Sequence, residues 1–112
     1  MTISATITQR VLSCSRHVAS ATRTLHFSKP VTHVSRPLDH AREPHEAYLK
    51  QYSRTGISSL FLGMNPGPWG MSQTGVPFGE VGAVRCFLGL EGKVGSPKDA
   101  HPNRPIEGFS CA

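Results

Sequence analysis

The sequence predicts an α/β fold in which a helix, a strand, a glycine- and proline-rich loop and a second helix follow one another. Residues 59–64 form a short apolar run, and five glycines and three prolines crowd the stretch that follows, between residues 63 and 79. Such a unit places polar groups at the carboxyl end of a strand. An apolar segment with helical spacing then completes the unit, with Val81, Val84, Phe87 and Leu88 as its members.

Residues 1–24 form a leader that is rich in serine and threonine and contains no acid, since the first acid of the chain is Asp39. An amphipathic, arginine-bearing, acid-free N-terminus is typical of a mitochondrial targeting peptide. The alternative is a disordered leader, because its many threonines oppose helix formation. On a helix one apolar face would collect Ile3, Ile7, Val11, Cys14, Val18, Ala21 and Leu25.

Residues 43–54 are predicted to form the helix that precedes the strand. Pro44 lies in its first turn, where a missing N–H is tolerated, and Gly56 ends it. Its modest apolar side consists of Ala47, Tyr48, Gln51 and Tyr52.

Length and charge limit the class of protein. At 112 residues the chain has room for one small domain, and its net charge is +5. Residues 1–58 hold eight of the 12 basic side chains against three acids, which is compatible with a polyanionic partner but does not locate a groove. No apolar run approaches the roughly 20 residues of a membrane span, so no membrane partner is expected.

Neither the cysteines nor the histidines have the spacing of a metal site. The three cysteines, at positions 14, 86 and 111, lack any CxxC pair and are predicted to be reduced thiols of an intracellular protein. The histidines at 17, 26, 33, 40 and 45 have no carboxylate or cysteine companions at ligand spacing. We therefore expect no metal and no cofactor.

The loop after residue 64 carries the residues with chemical potential. It has neither the Gly-Lys-Ser/Thr of a phosphate-binding loop nor a G-x-G-x-x-G pattern. Asn65 follows the predicted strand, where its amide would position a water or a substrate edge. Phe78 lies at the far end of the loop, where its ring would stack on a planar group. These residues alone indicate either a pocket for a planar ligand or a purely structural loop.

The same loop resembles the single-strand-selective branch of the uracil-DNA glycosylase superfamily. The resemblance rests on residues 63–71 (GMNPGPWGM) and residues 73–81 (QTGVPFGEV). It extends in order over about residues 25–111, through FSKPV at 27–31, REPH at 42–45, VR at 84–85 and HPNRP at 101–105. Residues 1–24 do not resemble the acidic, helical N-terminal segment of that family.

The resemblance implies a nuclear DNA repair enzyme of base excision repair. Its members flip uracil, or a 5-substituted uracil such as 5-hydroxymethyluracil, out of single- or double-stranded DNA and hydrolyse the N-glycosidic bond. The position of Asn65 holds the attacking water, and Phe78 stacks on the base. The backbone of Met64 faces the base, and Gly67 replaces a bulky tyrosine of another branch, which leaves room for a 5-substituent.

The resemblance also implies a parallel-sheet sandwich, of which residues 25–112 would be an incomplete, N-terminal fragment. The family has two further motifs beyond this region, an asparagine that reads the uracil edge and a histidine that stabilises the departing base. We therefore expect the chain to be inactive alone. The alternative is a non-enzymatic short form with weak nucleic-acid or partner binding.

Overall fold

The computed structural model describes residues 4–111, and its regular elements are helical. None of the helices in this range is both long and apolar enough to cross a lipid bilayer. The four α-helices are α1 (Ile7–Thr22), α2 (Pro37–His40), α3 (Arg42–Tyr52) and α4 (Met71–Thr74). A π-helical turn (Ala83–Phe87) and a 3-10 turn (Gly108–Ser110) follow them.

Helix α3 confirms the helix predicted for residues 43–54. It begins directly after Ala41 and ends before Ser53, whose extended backbone stops the helical hydrogen bonding. Pro44 lies in the first turn and is buried. The local signals were sufficient here because a proline near the start of a helix removes an N–H that has no partner within the helix.

The predicted strand at residues 59–64 is not confirmed, and the α/β sheet is not confirmed with it. No strand occurs anywhere in residues 4–111. The segment runs as exposed, irregular chain, with 82% of Leu60, 83% of Phe61 and 89% of Leu62 exposed. The physical reason is that a strand exists only where a neighbour pairs its backbone N–H and C=O groups, and no described segment pairs with this one as a strand.

The helix predicted after the loop is present as the single π-helical turn. The Glu80 carboxylate accepts hydrogen bonds from the backbone N–H groups of Gly82 and Ala83, which caps the start of the turn. Val84 is fully buried, as its predicted position on the apolar face requires, whereas Phe87 is 86% exposed. The helical spacing of apolar residues therefore groups a buried residue, Val84, with an exposed one, Phe87.

Helix α1 forms within the leader and packs through polar contacts. Thr6 and Gln9 cap its start reciprocally, side chain to backbone in both directions. The apolar face described above is only partly packed: Ile7 and Val11 are half-buried, whereas Cys14 and Val18 are exposed. Ile3 of that face lies outside the described residues.

Two ion pairs connect α1 to the following helices. Arg16 lies 2.8 Å from Glu46 of α3, which also pairs with Arg42 at 3.0 Å. Hydrogen bonding from Arg16, reinforced by Arg42, lowers the pKa of Glu46 to about 2. Arg23 contacts Asp39 of α2 at 2.6 Å, and that hydrogen bond lowers the pKa of Asp39.

Acid should release α1 from α3. Because the fold lowers the pKa of Glu46 from 4.5 to about 2, its contribution is complete above the ordinary value and is lost as pH falls between them. We expect urea unfolding to show declining stability over this window, and Glu46→Gln to show a smaller decline. Glu43→Gln, an exposed neighbour on the same helix, is the control. An equal decline in Glu46→Gln and the unaltered chain would contradict this assignment.

A small apolar cluster joins α3 to the chain that follows α4. Its buried centre is Val76, Val84 and Leu90. Partly buried side chains pack around that centre, namely Ala47, Tyr48, Leu88 and Phe109. This cluster is small, and side-chain hydrogen bonds hold the glycine- and proline-rich loop to the rest of the protein.

Candidate functional site

Gln73 connects the glycine- and proline-rich loop to the last part of the chain. It is fully buried in α4. Its Nε2 donates to the carbonyl oxygens of Pro68 (2.9 Å) and Pro105 (2.7 Å). Its Oε1 accepts from the backbone N–H groups of Glu107 (2.7 Å) and Gly108 (2.9 Å). One side chain thereby satisfies four backbone groups on two segments.

Two histidines attach the same loop to α2 and α3. His40 Nε2 donates to the carbonyl oxygen of Ser72 at 2.7 Å, and His45 Nδ1 donates to that of Gly75 at 2.7 Å. Gly75 ends α4 with φ +73°, and a Cβ there would lie 2.5 Å from the carbonyl oxygen of Ala41. The approach of the loop to α3 therefore requires glycine at this position.

Asn65 lies in the wall of a cavity of about 710 Å³. The other walls come from residues 32–40 and residues 95–106, with Pro66, Pro68 and Ser72. The Asn65 side chain donates from Nδ2 to the carbonyl oxygen of Pro66 at 3.2 Å. Its Oδ1 accepts no hydrogen bond from the described residues, so the amide oxygen is available to a water or to a substrate edge.

Phe78 lies against the start of the loop. It has φ +58°, an uncommon value for a residue with a side chain. A Cβ built on Gly63 would lie 3.3 Å from Phe78 Cζ, so the ring packs directly on the glycine backbone. The side chain remains 72% exposed. The end of the loop thus contacts its start, because Phe78 packs on Gly63, which lies two residues before Asn65 in the sequence.

Met64 and Gly67 flank Asn65 without entering the cavity wall. Met64 is 98% exposed. A Cβ added at Gly67 would meet no heavy atom within 4 Å, so the space beside this glycine is open. Of the four residues singled out from the sequence, Asn65 alone lines the cavity, whereas Met64, Gly67 and Phe78 lie outside its wall.

The cavity also contains residues that no sequence motif connects with Asn65. Arg36, Arg104, His33 and His101 all line it. His101 and Arg104 belong to the HPNRP stretch that supports the resemblance, but nothing in their local pattern places them beside Asn65. Arg36 and His33 precede α2, and no motif includes them.

No metal centre emerges from the geometry. The part of the chain that the structure describes contains no group of three or more His, Cys, Asp or Glu side chains arranged to hold a metal ion.

The curated proteins to which this chain is similar belong to one class of enzyme, the uracil-DNA glycosylases. No family model matches the chain. The proteins concerned are named single-strand selective monofunctional uracil DNA glycosylase. The Bos taurus protein is 53% identical over 89 residues, which are 80% of this chain and 33% of that protein. The Rattus norvegicus protein is 53% identical over 87 residues, 78% of this chain and 31% of its own length.

The Mus musculus protein of the same name is 52% identical over 87 residues, again 78% of this chain and 31% of its own length. The predicted resemblance to the single-strand-selective uracil-DNA glycosylases is therefore confirmed. The chain spans about a third of the length of the curated relatives that it matches.

Proposed function

We propose that this chain supplies the water-positioning part of a DNA repair glycosylase of base excision repair. The reaction is hydrolysis of the N-glycosidic bond of uracil, and of 5-substituted uracils such as 5-hydroxymethyluracil, in single- or double-stranded DNA. The observation that carries the proposal is the position of Asn65 in the cavity wall, within a sequence 53% identical to a uracil-DNA glycosylase.

Asn65 is the proposed catalytic residue. A water hydrogen-bonded to its free Oδ1 would attack the sugar carbon once the base is flipped out of the stack, because the bond is unreachable inside a duplex. An amide does not take a proton as a carboxylate does, so its contribution is to hold the water in line. Stabilisation of an oxocarbenium-like sugar and a departing uracil anion would supply the rest of the acceleration.

Met64, Gly67 and Phe78 are the proposed base-binding residues. The exposed ring of Phe78 offers a face for stacking on uracil. The backbone of Met64 would face the base edge, and the open space at Gly67 would accept a substituent on C5. We also propose that residues 59–64 become a strand of a parallel sheet when neighbouring strands pair with their backbone, and that helices on the faces of that sheet cover the exposed Leu60 and Leu62.

A chimera tests this function. The matched segment of the Bos taurus relative is replaced by the corresponding residues of this chain, and uracil release from single-stranded DNA is measured beside the unaltered relative. We expect the chimera to release uracil, because this chain would supply the same loop. A folded chimera that binds DNA but releases no uracil would contradict the proposal.

Replacing Phe78 with alanine in that chimera should weaken processing of every base substrate. If the ring stacks on the base as aromatic residues do in single-strand binding proteins, the loss is about 1–3 kcal/mol in transition-state stabilisation. The measurements are kcat/KM for uracil and for 5-hydroxymethyluracil, together with Tm. A loss of Tm without a loss of kcat/KM would show instead that Phe78 only packs on Gly63.

Nucleic-acid binding without catalysis is the second candidate. The observation that favours it is the basic excess of the N-terminal half, which includes the exposed Arg10 on α1. Salt-sensitive DNA binding by the 112-residue chain, with no uracil release from either the chain or the chimera, would support this candidate.

We propose a nuclear location, because the proposed substrate is damaged DNA, and mitochondria are the alternative because residues 1–24 are basic and free of acid. Fusing residues 1–24 to a fluorescent protein distinguishes the two locations. Mitochondrial fluorescence would support the alternative, and fluorescence outside mitochondria would remove it.

A further inference from the structure

The cavity beside Asn65 has the size and position of a binding site for more than the base. Its volume of about 710 Å³ lies within the usual range for ligand pockets. Two arginines enter it from segments far apart in sequence: Arg36 precedes α2, and Arg104 lies near the end of the chain. Their convergence on one cavity brings together two permanent positive charges, since a guanidinium stays protonated.

The acids in the wall only partly neutralise these arginines. Asp39 lines the cavity, but its carboxylate accepts three hydrogen bonds from Arg23 at 2.6 to 3.2 Å. Asp99 also lines the cavity and forms no ion pair with a described residue. Two arginines therefore face one uncommitted carboxylate.

Arg36 has a donor that nothing in the described protein uses. Its Nε is the one buried side-chain nitrogen or oxygen among the described residues without a hydrogen-bond partner. Its Nη2 forms only a long contact of 3.4 Å with the carbonyl oxygen of Arg23. Leaving a buried donor of a charged group unpaired is destabilising, by more than for a neutral group. Its Nη1 forms no hydrogen bond with a described residue, so that end of the guanidinium remains for an anionic oxygen in the cavity.

Arg104 is held in place with donors to spare. Its guanidinium carbon lies 6.0 Å from the centre of the Trp69 ring, and Nη1 donates to the carbonyl oxygen of Asn103 at 2.9 Å. The remaining N–H groups of the fork are not bonded to any described residue. A planar fork of this kind matches the geometry of phosphate oxygens.

Two histidines complete the polar wall. The rings of His33 and His101 meet edge to face, with their centres 4.8 Å apart. His101 Nδ1 accepts a hydrogen bond from the backbone N–H of Asn103 at 3.0 Å, so the proton of the neutral ring is on Nε2. His101 therefore offers a further donor beside the arginines.

We propose that this cavity binds a phosphodiester of single-stranded DNA, with Arg36 and Arg104 as the phosphate ligands and Asn65 beside them. A phosphodiester supplies the several acceptor oxygens that two guanidinium groups require. The inference deepens the proposed function and rests on it, because DNA is the ligand in both. A phosphate held here would fix the position of the strand relative to the water on Asn65.

The test uses the 112-residue chain and labelled single-stranded DNA without uracil. Fluorescence anisotropy gives Kd over a range of salt concentrations for the chain, Arg36→Gln, Arg104→Gln and Lys93→Gln. Lys93 is exposed, lies outside the basic N-terminal half and does not line the cavity, so its replacement matches the change of net charge. We expect each cavity variant to weaken binding about tenfold and to lower the salt slope by about one, and Lys93→Gln to change Kd by less than about twofold.

Equal losses in all three variants would overturn the proposal, since they would indicate attraction by net charge alone. Unchanged binding in the two cavity variants would overturn it as well. Circular dichroism checks that each variant keeps its helices, and Arg104→Gln decides the result if Arg36→Gln does not fold. Inorganic phosphate should compete with DNA for the unaltered chain, and competition that persists in Arg104→Gln would place the phosphate elsewhere.

The outcome is separate from that of the proposed function because the DNA carries no uracil. If the chimera releases no uracil while DNA binding by the chain still depends on Arg36 and Arg104, the glycosylase proposal is removed and the phosphate site remains. The reverse pattern would remove the phosphate site and leave the glycosylase.

Discussion

Replacing Asn65 with alanine is expected to remove most uracil release from the chimera while DNA binding persists. Only the attacking water loses its hydrogen-bond partner, and misplacement of a reacting group lowers a rate by about a hundredfold or more. The side chain forms a single hydrogen bond, within its own loop, to the carbonyl oxygen of Pro66, so its removal disturbs little of the fold.

A gel-shift assay and a strand-cleavage assay on the same preparation measure binding and excision separately. Asn103→Ala is the matched control, because Asn103 is an exposed asparagine that contributes only backbone groups to its hydrogen bonds. We expect this control to keep both activities. Unchanged excision in Asn65→Ala would eliminate the water-positioning role, and a parallel loss of DNA binding would assign Asn65 to strand contact instead.

The parts of the fold that depend on local interactions could be predicted from the sequence. The bounds of helix α3 were predicted to within two residues because Pro44 marks its first turn and Gly56 lies just beyond its end. The strand at residues 59–64 was not confirmed because its existence depends on a partner that no local pattern supplies. The sequence did not indicate which side of α1 packs on the rest of the protein, because the hydrogen bond that orients the helix joins Arg16 to Glu46, 30 residues further on.

The candidate site divides in the same way. Asn65 stood out because a polar amide directly follows an apolar run within a loop rich in glycine and proline. Arg36 and Arg104 did not stand out, because 67 residues separate them in the sequence and no motif indicates that they line the same cavity. The sequence thus predicted the residue proposed to handle water, whereas the charged wall around it emerged only from the tertiary structure.

Gln73 differs from these residues because its expected effect is on stability, through the hydrogen bonds of a buried side chain. Gln73→Ala would leave two carbonyl oxygens and two backbone N–H groups without partners, on the loop before α4 and on residues 105–108. Each buried polar group left unpaired costs about 1–3 kcal/mol, although water would reach some of these. We expect the free energy of unfolding in urea to fall by about 3 kcal/mol or more.

Gln51→Ala is the matched control, because Gln51 is exposed on α3 and its hydrogen bonds are long, at 3.3 and 3.4 Å. Such an exposed site should change stability by no more than about 0.5 kcal/mol. Gln73→Ala should also loosen the walls of the cavity, because the bond to Pro105 positions the chain next to Arg104. Its DNA binding should therefore weaken along with its stability, in contrast to Asn65→Ala. Equal, small effects of the two glutamine substitutions would mean that water replaces the side chain at all four contacts. The loop would then be held by His40, by His45 and by the hydrogen bond from the Thr74 hydroxyl to the carbonyl oxygen of Gly79.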